Sequence, residues 1–199
     1  MVVVLECVAQ PAWSVLAARG DVERLVRERL SGWRPAEPLA ALQIGPGEWW
    51  LVADRWAGRV TGSVGAPLHA QDSHIETLEQ GIAGDLRQVL HDLVADVQIV
   101  SDAWGVWQLR GPFEAMRTLI GQAGPVDLLD PRMRERGGLR CALGPFSVVL
   151  RTVEEGATLE VRVERSYSEA LGAWLRRRAG RTAGSSGGGI DGRGVEAGT

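Results

Sequence analysis

The chain has 199 residues, 45% of them hydrophobic, and its 22 basic against 25 acidic side chains leave a net charge of −3. That size and apolar content suit one domain or two small lobes with a real core, and the acidic balance excludes a dedicated nucleic-acid role, which needs a basic excess to neutralise phosphate. Every basic residue is arginine, so Schiff-base and P-loop lysine chemistry are excluded, while rigid two-pronged pairing with carboxylates is favoured.

The opening run VVVLECV has no basic segment before it and is interrupted by Glu6, which is wrong for a secretory signal. Residues 12 to 18 read as a strand, and Asp21 as the cap of a helix whose apolar face is Val22, Leu25, Val26 and Leu30. Two strands starting at Leu39 and Glu48 follow, joined at Gly45-Pro46-Gly47, residues that suit a tight turn. After a weakly patterned stretch from Gly58 to Gln71, Ser73 and Glu76 spell a capping box, and Ile75, Leu78, Ile82, Leu86, Val89, Leu90 and Leu93 keep helical spacing.

Strands are expected over Asp96–Ser101 and Trp104–Arg110, then a helix opened by Gly111-Pro112 with Pro112 in its first turn and Phe113, Met116, Leu119 and Ile120 inward. A polar, arginine-rich connection from Asp127 to Gly138 leads to strands Leu139–Leu143, Phe146–Thr152 and Thr158–Glu164. In the last, Leu159, Val161 and Val163 alternate with Glu160, Arg162 and Glu164, the pattern of a sheet with one wet face. Ser166 and Glu169 spell a second capping box, before a helix with Tyr167, Leu171, Trp174 and Leu175 inward. From about Ala179 the chain turns Gly-rich and lacks the large apolar side chains that would offset the backbone entropy of ordering, so residues 179–199 are expected to form a disordered tail.

These elements predict an α+β fold. RGDVERLVRERL has an echo in RGPFEAMRTLI, and LQIGPGEWWLV in CALGPFSVVL, which predicts two similar small βαββ-type lobes, roughly 1–102 and 103–178, with mostly antiparallel sheets.

No catalytic, cofactor-binding or metal-binding residues are assigned. Cys7 and Cys141 stand alone, outside any C-x-x-C pair, which fits buried thiols in a reducing, cytoplasmic compartment. His69, His74 and His91, with Asp72 and Glu76, lack a convergent third ligand for a metal, and no serine or cysteine is tied to them by spacing. The strings G-x-S-x-G at Gly184–Gly188 and G-x-G-x-x-G at Gly187–Gly192 fall in the tail, without the strand and helix their chemistry requires. Arg19-Gly20-Asp21 spells an adhesion tripeptide, but Asp21 has a job as a cap. Arg132, Arg134, Arg136 and Arg140 form either an anion-gripping cluster or a solvated loop, and Arg176, Arg177 and Arg178 suit the last turn of a helix. No apolar run is long enough to cross a membrane.

Eight tryptophans are many for a core of this size, and the ring is enriched where surfaces meet. Alternation puts Trp49 and Trp50 on opposite sheet faces. One ring fills the core and the other needs cover, so Trp49, Trp50 and Trp104 are the candidate interface residues.

The blocks GPGEWWLV, VSDAWGVWQLRGPFEAMRTLIG, GPVDLLDP and VERSYSEALGAWL, in this order between Ala12 and Arg178, resemble the gamma subunit family of heterotetrameric sarcosine oxidase. The matching features are Gly45, Pro46, Glu48 and Trp49; Ser101 and Asp102; Gly111 and Pro112; Asp127 and Leu128; and Arg165, Ser166 and Tyr167. Ala123-Gly124-Pro125 departs from the family's Gly-Cys-Pro step, and the arginine-rich loop replaces a Pro-Gly-containing segment. The resemblance implies a fold like the folate-binding domain of the glycine-cleavage aminomethyltransferase. It implies a non-catalytic structural role beside alpha, beta and delta subunits, with FAD, FMN, NAD and tetrahydrofolate held by the complex and none on this chain. Such a complex demethylates sarcosine to glycine with hydrogen peroxide and methylenetetrahydrofolate, and related complexes take other N-methyl amino acids. The alternative reading is a stand-alone folate-dependent one-carbon transfer or repair protein of the same fold.

Overall fold

The computed structural model describes residues 3–8, 10, 12–17, 23–35, 39–53, 72–153 and 157–184. The chain order is β1 (Val4–Val8), β2 (Ala12–Ala17), α1 (Glu23–Gly32), β3 (Leu39–Gly45), β4 (Glu48–Ala53), α2 (Asp72–Val89) and β5 (Val94–Ile99). After a 3-10 turn at Ser101–Ala103 come β6 (Trp104–Arg110), α3 (Phe113–Gly121), α4 (Pro131–Glu135), β7 (Leu139–Leu143), β8 (Phe146–Val153) and β9 (Thr158–Glu164). A second 3-10 turn, Arg165–Tyr167, opens α5 (Ser168–Gly184).

Among the described residues the strands form a four-stranded sheet ordered β3-β4-β2-β5 and a five-stranded sheet ordered β1-β6-β9-β8-β7, and every pairing is antiparallel. Strand alternation assigns each face a core. Trp13, Val15, Trp49 and Leu51 face α1 and α2, meeting Val26, Ile82, Ala83, Leu86 and Leu90. Trp107, Leu109, Leu159, Val161 and Val163 face α3 and α5, meeting Met116, Leu119, Ile120, Leu171 and Leu175. The opposite faces meet each other, with Ala12, Leu42, Ile44, Trp50 and Val52 against Val149. Two sheets therefore lie back to back between outer helices.

Each half contains the order strand, helix, strand, strand, as β2-α1-β3-β4 and, with α4 interposed, as β6-α3-α4-β7-β8, but the sheets they build differ. In the larger sheet β9 enters between β6 and β8, whereas β4 pairs with β2 directly; β1, from the expected first lobe, joins the second sheet by pairing Leu5 with Leu109 and Cys7 with Trp107. The repeated Gly-Pro strings are not equivalent either. Pairing of Gly45 with Glu48 and of Leu143 with Phe146 places Pro46-Gly47 and Gly144-Pro145 at the two corners. The left-handed residue is Gly47 (φ +68) at the second corner of one turn and Gly144 (φ +58) at the first corner of the other.

Other expectations are corrected by packing. Pro112 is the cap of α3, not its first turn, and Ala115 joins the buried face while Phe113 is only half-buried. The connection 127–138 contains α4, capped by the Asp130 carboxylate accepting from Arg132 N–H and anchored by buried Met133. Tyr167, expected inward, is 54% exposed because the 3-10 turn rotates it off the α5 face that buries Leu171 and Leu175. Helix α5 runs on to Gly184, so 179–184 of the expected tail are helical, with Ala179 packed on the core. Asp21, Ser73, His69, His74 and residues 185–199 lie outside what is described, the first, third and last wholly and the other two as side chains.

Candidate functional site

The most unusual chemistry lies between the two sheets. Residue 160 pairs across β9 with Gln108 of β6 and Arg151 of β8, so alternation brings Gln108, Arg151, Glu160 and Arg162 onto one face. That face is not wet. Glu160 is 1% exposed and Arg162 0%, because the four-stranded sheet covers them. The alternation in β9 is real, but both its faces are buried.

The Glu160 carboxylate accepts from Arg162 at 3.0 Å and from Arg151 at 3.4 Å, and its second oxygen faces the Gln108 amide at 3.3 Å. Arg162 also donates to the Gln10 side chain, whose own amide donates to Ala53 O at the end of β4. One glutamine from the β1–β2 connection thus ties the charge pair of one sheet to the backbone of the other. Burial lowers the Arg162 pKa from its ordinary value, with Glu160 opposing that shift. Its Nε and Nη1 groups are buried with no hydrogen-bond partner among the described residues.

Beside this network the Trp50 ring meets Trp104 edge-on at 4.3 Å between centroids. Arg140 lies 6.0 Å from the Trp50 ring and 3.6 Å from the Glu48 carboxylate. Both Trp49 and Trp50 are only 2% exposed. The ring expected to seek cover from a partner finds it in this chain's own second sheet, since Trp50 belongs to the inter-sheet core with Trp104 half-buried against it.

The arginines singled out by the sequence are dispersed. Arg132 pairs with Asp130, and Arg136 O accepts from Gln43 N–H at 2.7 Å, joining the arginine loop to β3. Arg176 and Arg178 sit within α5, not in its last turn, over the rings of Trp107 (4.9 Å) and Trp174 (4.5 Å). His91 is exposed, with Nδ1 3.1 Å from Gln88 O, and among the described residues no three His, Cys, Asp or Glu side chains converge as a metal site. Burial raises the thiol pKa values of both cysteines, that of Cys141 to about 11. Among the described residues no helix is long and apolar enough to cross a membrane.

Sequence reasoning passed over the Gln10, Arg151, Glu160 and Arg162 network. The available signal was the opposition of Arg151 and Glu160 across a hairpin, a pairing of unlike charges on neighbouring strands. Nothing local marks Gln10.

No family model matches the sequence, and no curated protein matches it. Among solved structures, a chain of the heterotetrameric sarcosine oxidase from Corynebacterium sp. U-96, in complex with pyrrole 2-carboxylate, superposes with a TM-score of 0.61 and 19% identity, covering 90% of this chain and 84% of that one. This chain is similar in fold to a sarcosine oxidase subunit. The ligand-free regulatory subunit of aspartate kinase from Thermus thermophilus superposes with a TM-score of only 0.45 at 11% identity, over 90% of this chain and 94% of that one, too loosely to bear on function.

Proposed function

We propose that this chain is a non-catalytic structural subunit of a flavin-dependent, heterotetrameric oxidase of sarcosine or a related N-methyl amino acid, in the place of the gamma chain and in the cytoplasm. The observation that carries the reading is the fold likeness to a sarcosine oxidase chain over 84% of that chain's length, which makes the match a counterpart of nearly a whole subunit, not of a shared fragment. The ordered sequence blocks that resemble the gamma family support it independently. Arg151 and Arg162 are spent on the Glu160 carboxylate inside one sheet, and Arg162 also reaches the other sheet through Gln10, a use of charge that suits a scaffold. In this reading the larger subunits hold FAD, FMN, NAD and tetrahydrofolate, and the surface that docks onto them lies elsewhere than on Trp49 and Trp50.

The test is co-expression with the neighbouring genes. The chain is expected to elute in a flavin-coloured assembly that oxidises an N-methyl amino acid. Migration of the chain alone, beside a complete and active complex, overturns the reading, and micromolar tetrahydrofolate binding by the isolated chain would favour a stand-alone one-carbon protein instead.

A further inference from the structure

A cleft of about 350 Å³ opens on the helix side of the smaller sheet, between α1 and the end of α4. Its floor is the face of β3 and β4 that carries Gln43, Trp49 and Leu51; Arg27 and Leu30 of α1, followed by Trp33 and Arg34, make one wall, and Glu135 and Arg136 the other. Three arginine residues, Arg27, Arg34 and Arg136, therefore line a cleft with an aromatic and aliphatic floor, against Glu135 as the one carboxylate among the lining residues, on a protein whose net charge is −3.

The walls are braced. The Arg27 guanidinium donates to Gln43 Oε1 at 2.7 Å, while Gln43 N–H donates to Arg136 O at 2.7 Å, so one strand residue links both sides. Arg34 donates to Ser31 O at 2.7 Å and Trp33 O at 3.0 Å, which holds its side chain at the end of α1. Arg29 pairs with Asp92 and donates to Val89 O at 2.9 Å, fixing α1 against the end of α2. Preformed, mostly apolar recesses with a few placed polar groups are the usual form of small-molecule sites, and arginine is the side chain suited to carboxylates.

We propose that this cleft binds a small organic carboxylate with a flat or compact apolar body, its charge held by Arg34 and Arg136 and its body laid against Trp33 and the β3–β4 floor. The site is independent of the proposed assembly and needs only this chain. A neutral molecule of the same shape gains the apolar contact but not the charge-assisted hydrogen bonds.

The probes are benzoate and its neutral counterpart benzamide, titrated into the full-length chain while the indole N–H resonances of Trp33 and Trp49 are followed by NMR, with assignments from Trp33→Phe and Trp49→Phe. Benzoate is expected to shift both resonances with an affinity roughly tenfold or more above that of benzamide. Arg34 and Arg136 are both exposed, so Arg34→Gln combined with Arg136→Gln should leave the fold intact and abolish the preference. Absence of any shift at either indole, equal affinity for the two probes, or an undiminished preference in the double variant would each overturn the proposal.

Discussion

Glu160 serves two guanidiniums with one carboxylate in a place that water does not reach. Removing one partner from such an arrangement leaves uncompensated buried charge, so Glu160→Ala is expected to cost about 3 to 5 kcal/mol in urea denaturation. Arg162→Met should cost distinctly less, because it also removes a desolvated cation with two unpaired N–H groups and leaves Glu160 beside Arg151. Glu79 offers a pH test. Burial is the main cause that raises its pKa, opposed by a hydrogen bond from Ser101 and reinforced by Asp102 and Glu76. A carboxyl whose folded pKa lies above its unfolded one binds its proton more tightly when folded, so its contribution falls as pH rises from the unfolded value through the folded one. Glu79→Gln is expected to flatten that part of the stability profile, read as denaturation midpoints between acid and neutral pH. Cys141, with its pKa raised to about 11 by burial, should be alkylated at mildly alkaline pH on the order of tenfold more slowly in the folded chain than in urea.

Among the elements, α5 shows how closely backbone must approach a ring. The indole of Trp107 donates to Ser168 O at 3.0 Å, and a Cβ added at Gly172 would come within 2.2 Å of the same ring. Trp107 is fully buried and cannot swing away, so Gly172→Ala is expected to cost roughly 1 to 3 kcal/mol and to alter the near-ultraviolet dichroism of the tryptophans. Periodicity found this helix, but the inward Tyr167 was an extrapolation across a 3-10 turn that changes the angular phase. In β9 the period of two was legible and its meaning was not: alternation says that two faces differ, while burial of the polar face depends on a second sheet whose core residues Ala12, Leu42, Ile44, Trp50 and Val52 lie more than a hundred positions away.

At the scale of the whole molecule, the two sheets are held together by Trp50, Trp104 and the Gln10 relay, with β1 pairing into the larger sheet just before β2 enters the smaller one. Trp50→Ala would open a cavity in the only core the sheets share among the described residues, and is expected to cost about 3 to 5 kcal/mol in urea. Because Trp50 is already covered, its loss should weaken the isolated chain itself and not merely its association with other subunits.

Local chemistry determined much of this protein in advance: which segments alternate with period two or repeat near 3.6, where Gly and Pro break them, and which catalytic classes lack their residues. The pairing of strands adjacent in sequence, β3 with β4, β7 with β8 and β8 with β9, and the position of most helices follow from such short-range rules. What sits opposite each face was decided only by the tertiary structure. The insertion of β9, the transfer of β1, the cover over Trp50 and the burial of Glu160 and Arg162 arise from contacts between distant segments, and side-chain pattern along a strand records that a face is special without recording what covers it.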